Sequence, residues 1–117
     1  FRGELRVGGS TTVSINSTTL SSDTWHKVAF RYKSGDFSIW ADGVNVGTDG
    51  TTVSEIPANT LTELELQRDD LGNNSFYGKT KAVAVFDYLS DDQMVKLTEE
   101  GYDTFNALAT ANNFIIR

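Results

Sequence analysis

The residues of this 117-residue chain whose spacing first suggests chemistry are the alternating acids Glu63 and Glu65. On a strand, residues two apart lie on one side, separated by about 7 Å. A retaining glycosidase sets its nucleophile and its acid/base about 5–5.5 Å apart across the scissile bond. The next position in phase is Gln67, whose amide cannot protonate a leaving group, and Arg68 and Asp69 do not restore the spacing. Residues 61–67 therefore read as a strand with Leu64 and Leu66 inward and a solvated face of Glu63 and Glu65, so no catalytic residue is assigned. His26 is the single histidine. It cannot build a histidine metal cluster, and a hydrolytic triad would need a Ser and an acid brought to it by the fold.

Binding chemistry has three candidates. Asp69, Asp70, Asn73 and Asn74 are oxygen donors within one turn. Calcium takes six to eight oxygens, so Asp69 and Asp70 are the candidate metal ligands, with ordinary polar turn residues as the alternative. Trp40 lies out of phase with Phe37, Ile39 and Ala41, so it points to the opposite face of its strand. An exposed indole there would be a platform for stacking a sugar ring, because aromatics offer large area at modest entropy cost. The competing reading is a second core layer, with the 90–97 helix or the C-terminal segment covering Trp40. Tyr77 and Tyr32 are weaker aromatic candidates, and Asn73 and Asn74 could supply hydrogen bonds to the same ligand.

The elements that must position these residues centre on 25–43. Val28, Phe30 and Tyr32 alternate with Lys27, Ala29, Arg31 and Lys33, which is the period of a half-buried strand. Ser34-Gly35-Asp36 turns the chain, Phe37, Ile39 and Ala41 resume the alternation, and Asp42-Gly43 is a type I′ turn signal before Val44 and Val46. The result is a β-meander. Trp25 is expected to open its first strand and cap the core.

Residues 1–7 and 11–16 form two further strands around a Gly8-Gly9-Ser10 turn, with Leu5, Val7, Val13 and Ile15 inward. Residues 17–24 are a polar loop with Leu20 at the core edge, and 47–60 are the least structured stretch. Residues 76–87 read as a long closing strand. Apolar side chains on both its faces (Val83 and Val85; Ala82, Ala84 and Phe86) suggest a central strand covered on both sides. Ser90 with Gln93 makes a capping box, and Met94, Val95 and Leu97 give that helix its apolar side. Tyr102, Phe105, Leu108 and Ala109 predict a second helix over 103–111, and 114–116 could add an edge strand.

Two of these stretches resemble a known family. W-H-K-V-A-F-R-Y, a turn and then S-I-W-A-D-G-V look like the central hairpin of laminin-G-like, concanavalin A-like jelly-roll domains. F-Y-G-K-T-K-A-V-A-V-F followed by L-S-D looks like their closing strand before a short helix. The resemblance runs from about Leu5 to Leu97 and implies an all-β, antiparallel jelly-roll sandwich with one or two short C-terminal helices. The Y-G-K-T-K strand and the tail F-N-A-L-A-T-A-N-N-F are most similar to domains appended to bacteriophage structural proteins. That likeness implies a single domain within a larger virion or extracellular protein, displayed on the virion surface or outside the cell. It also implies a non-catalytic binding or adhesion function, with a glycan as ligand. Related glucanases carry alternating acids on one strand, and Gln67 departs from that pattern.

Composition narrows the rest. There is no cysteine, so neither disulfides nor thiolate metal sites exist. A net charge of −6 argues against nucleic acid as a partner. No apolar run approaches a membrane span, so no membrane insertion is expected. Set against the resembled domains, this chain is expected to lack the N-terminal strands, as a fragment or as a domain completed by another chain. A neighbouring copy or an upstream segment is therefore expected to pair with the edge at residues 1–7 and bury Leu5 and Val7, giving an oligomer. A structural fibre or decoration subunit assembling through that open edge is the alternative function.

Overall fold

The computed structural model describes residues 1–16, 19–53, 56, 64, 78–99 and 101–117. Five strands come first, β1 (Arg2–Val7), β2 (Ser10–Asn16), β3 (Val28–Arg31), β4 (Phe37–Ala41) and β5 (Val44–Asp49). Two helices follow, α1 (Asp91–Thr98) and α2 (Phe105–Asn112). Among the described residues, β1 and β2 pair antiparallel as one sheet, and β3-β4-β5 form a second antiparallel sheet in that order.

The two sheets face each other across Leu5, Val13, Ile15, Phe37 and Ile39, all buried, with Val7, Phe30 and Val46 at the margin. These are inward residues that strand alternation predicts, but Val28 and Tyr32, in phase with Phe30, are exposed because the facing two-stranded sheet covers only Phe30 on that side of β3. Two glycines permit the close approach. A Cβ on Gly3 would lie 2.7 Å from Phe30 Cδ2, and one on Gly47 would lie 2.6 Å from Ile15 Cγ2. Gly47 therefore sits within β5, which runs on to Asp49 where sequence reading ends the strand early.

The second sheet has a covered far side. Trp40, Leu89, Met94, Leu97, Leu108, Ala109 and Phe114 form a separate core cluster there. All five residues of β4 are buried, so β4 is the strand covered on both faces. The 76–87 stretch does not take that place in its described part. Residues 78–85 are in no ladder, Phe86 pairs with Ile116 as an isolated bridge, and Val83 and Val85 are exposed. Phe86 packs instead against the helical cluster beneath Trp40. Leu64 is 66 % exposed, so it is not an inward residue.

The helix ends follow from local chemistry. The Ser90 N–H donates to Gln93 Oε1 at 2.9 Å, and Asp91 and Asp92 stand in the first turn of α1, where the helix dipole favours them. Thr104 caps α2 by accepting from the Ala107 N–H at 3.1 Å, and Asn113 ends it in the left-handed conformation (φ 56°). Arg31 fastens the helical layer to β3. Its guanidinium donates to Asp36 and Asp91, each at 2.6 Å, and to the Leu89 carbonyl at 3.3 Å.

Leu5 is 5 % exposed within this single chain. Its burial therefore comes from the facing sheet, and no second chain is needed to cover it. The other edge of β1 has no partner among the described residues.

Candidate functional site

At one end of the three-stranded sheet, three segments meet: the 21–27 approach to β3, the Asp42-Gly43 turn and the connection after α1. Asp42 and Gly43 both have positive φ (48° and 80°), as a type I′ turn requires. That turn places the Asp42 carboxylate beside the start of β3. Its Oδ1 accepts from the Lys27 N–H at 2.9 Å, and the Asp42 N–H donates to the Lys27 carbonyl at 3.0 Å. The Gly43 N–H donates to Thr98 Oγ1 at 3.0 Å, tying the turn to the end of α1.

His26 bridges this turn to the 21–24 loop. Its Nδ1 lies 2.5 Å from Asp42 Oδ2 and its Nε2 lies 2.9 Å from the Ser21 carbonyl oxygen. A carbonyl only accepts, so Nε2 carries a proton, and the carboxylate takes the proton of Nδ1. Both contacts together require the imidazolium. The hydrogen bond to Asp42 accordingly raises the His26 pKa above its ordinary value. Desolvation works against that rise, and the Ser21 carbonyl adds to it. For Asp42, burial pushes upward, but the hydrogen bonds from His26 and the Lys27 N–H, with the charges of both, carry it below the usual carboxylate value.

Thr24 Oγ1 stands 3.1 Å from the same Nε2, so Thr24, His26 and Asp42 have the outline of a hydrolytic triad. In this arrangement His26 is not poised as a base for Thr24. A general base needs a free lone pair on Nε2 to take the hydroxyl proton, and here that nitrogen is a donor to Ser21. The three residues form a bracket that fixes a loop.

The bracket holds Trp25, which is 65 % exposed, and this reverses the expectation that Trp25 caps the core. Trp25 is in phase with Lys27, Ala29 and Arg31, not with Val28 and Phe30, and it precedes the pairing that starts at Lys27. Trp40 is reversed as well. It is 5 % exposed beneath the helical layer, and its indole N–H donates to Ser38 Oγ at 2.9 Å. Of its two sequence readings the second core layer is correct, and Trp40 is no stacking platform. Tyr32 is exposed and tilted against Phe30, with ring centroids 6.3 Å apart.

Beside the bracket lies an open cleft of about 390 Å³ lined by Lys27, Lys81, Gly101, Tyr102 and Asp103. The Lys27 ammonium donates to the Glu99 carbonyl at 2.9 Å and the Tyr102 carbonyl at 3.3 Å. Sequence reading passes over this cleft because its residues come from three distant stretches. The other candidates, Tyr77, Asn73, Asn74 and the metal ligands Asp69 and Asp70, lie outside the described residues, as do Glu63, Glu65 and Gln67. Among the described residues, no group of three or more His, Asp or Glu side chains is placed to hold a metal ion, and no helix is long and apolar enough to cross a membrane.

Two facing antiparallel sheets with a helical cover define a β-sandwich domain of the jelly-roll class, the architecture that the hairpin and closing-strand motifs imply. The family model of the concanavalin A-like lectin/glucanases superfamily matches residues 2–96, and the chain belongs to that superfamily. Searches of curated proteins and of solved structures returned no match. Membership fits a binding module in broad terms, and fold alone does not choose the ligand.

Proposed function

We propose that this domain is a non-catalytic carbohydrate-binding module and that Trp25 is its stacking platform. The observation that carries the reading is Trp25 itself, a large aromatic left 65 % exposed on a stretch anchored on both sides. Burying an indole against an apolar sugar face recovers area otherwise left in water. The His26–Asp42 bracket limits the ordering cost on binding, and Ser22, Asp23 and Thr24, the residues that precede Trp25 in the chain, offer hydroxyl and carboxylate partners. A non-enzymatic role is supported by the donor state of His26 Nε2 and, in the sequence, by Gln67. Display on a virion or outside a cell, as part of a larger protein, rests on the likeness of the closing strand and C-terminal tail to phage-appended domains.

The test is a glycan array probed with the parent protein and with Trp25→Ala. Spots bound by the parent and lost in the variant support the reading. Binding that survives Trp25→Ala removes Trp25 from it, and an array with no bound glycan overturns it.

A second reading, assembly through the β1 edge, is favoured by that edge having no partner among the described residues and by exposed Phe1, Val28 and Tyr32. Light scattering tests it: a monodisperse monomer at high concentration refutes self-assembly.

A further inference from the structure

We propose that the cleft beside the bracket is a carboxylate-recognising subsite, so that the preferred glycan carries an acidic sugar ring; this rests on the carbohydrate reading above. The first argument is charge. The chain as a whole is acidic, with 16 Asp and Glu against 10 Lys and Arg. Among the described residues that line it, the cleft reverses that balance, with the ammonium groups of Lys27 and Lys81 against the carboxylate of Asp103. An acidic chain repels anions in general, so a local cationic site needs both its charges close to the ligand.

The second argument is how the two lysines are held. Lys27 Nζ is fixed by two carbonyl oxygens, those of Glu99 and Tyr102. These bonds position the ammonium without cancelling its charge, and they leave one of its three N–H donors free. Among the described residues, Lys81 has no ion-pair or hydrogen-bond partner, and it is exposed. One cation is thus preorganised and the other is free to close on a ligand. A neutral sugar gains little from either. A carboxylate gains charge-assisted hydrogen bonds, which are shorter and stronger than neutral ones.

The third argument is fit. A volume of about 390 Å³ falls within the range of small-ligand sites and admits one sugar ring. Half-buried Tyr102 supplies apolar lining, and Asp103 can accept hydrogen bonds from ring hydroxyls. Lys27 is two residues beyond Trp25 on the same stretch, so one glycan chain can engage the indole and the cleft together.

The experiment compares oligogalacturonate with its methyl ester, which keeps the rings and removes the charge. Titration of the 117-residue protein is followed by calorimetry or NMR, with Lys81→Gln and Trp25→Ala alongside. Lys81 is exposed and makes no hydrogen bond or ion pair among the described residues, and circular dichroism verifies that its variant is folded. The free acid is expected to bind about tenfold or more tighter than the ester, with most of that advantage lost in Lys81→Gln, as one charge-assisted hydrogen bond implies. Equal, Trp25-dependent binding of acid and ester, unchanged by Lys81→Gln, overturns the acidic-sugar inference and leaves the carbohydrate reading standing. Binding of neither probe overturns the inference, and the array separately decides whether any other glycan is bound.

Discussion

Replacing Trp40 with alanine is expected to cost about 4–5 kcal/mol, and the same change at Trp25 about 1–2 kcal/mol. A large aromatic buries about 150–250 Å², and at roughly 25 cal/mol per Å² the upper end is about 6 kcal/mol. Trp40, at 5 % exposure, realises nearly all of that. Core aromatic deletions cost about 3–5 kcal/mol, and loss of the indole donor to the fully buried Ser38 hydroxyl adds about 1 kcal/mol. Trp25 hides only about a third of its surface, so about 90 Å² and at most about 2 kcal/mol are at stake. The difference of about 3 kcal/mol separates the urea midpoints of the two variants by roughly 1–3 M at a typical small-domain slope. Unfolding is followed by far-ultraviolet circular dichroism. The chain has two tryptophans, so fluorescence of each variant reports the remaining indole. Trp25→Ala should keep a blue-shifted, quencher-protected emission, and Trp40→Ala a red, accessible one; Trp40→Phe serves if the alanine variant does not fold. Coincident midpoints, or a quencher-protected Trp25, would refute the assignment of the two sides of the sheet.

Three further outcomes are expected. His26 has a raised folded pKa, so its stabilisation is complete below the unfolded value of about 6.5 and fades as pH rises through the folded value. Asp42 is depressed, so its contribution is complete above about 3.9 and fades as pH falls. The pair therefore supports the fold most between about pH 4 and 6.5, and His26→Ala should flatten the decline of stability above neutrality, read from denaturation midpoints across pH 5–9. Gly47→Ala should cost about 1–3 kcal/mol through overpacking against Ile15, and Ile15→Ala in the same chain should recover part of it in a double-mutant cycle. Arg31→Met should cost about 1–3 kcal/mol, because Asp36 and Asp91 keep solvent access and no buried charge is stranded; thermal unfolding measures it.

What the chain states locally can be read from it directly. The Asp42-Gly43 turn, the Ser90–Gln93 cap and the alternation of Phe37, Ile39 and Ala41 each depend on neighbours within a few positions, and each takes the expected form, whereas in β3 Val28 is exposed and Arg31, in the opposite phase, is buried. The bracket is one step further away but still countable. Once Arg31 opposes Ser38, counting outward along the hairpin sets Lys27 against Asp42 and brings His26 to the carboxylate. The Lys27–Lys81–Tyr102 cleft is not countable, because it depends on where the α1–α2 connection crosses the sheet end. The two tryptophans show which signal misleads. Alternation fixes which side of a strand a residue takes, and both phases were readable: Trp25 with Lys27 and Arg31, Trp40 with Ser38. Alternation does not say which side is wet. That depends on the second layer, and the helices Asp91–Thr98 and Phe105–Asn112 cover the side that Trp40 takes. Trp25 has the same parity but precedes the paired strand, where the helical cover ends, so its indole meets water. The exposure of Trp25 and the burial of Trp40 thus share one cause, the limited reach of the helical layer along the sheet.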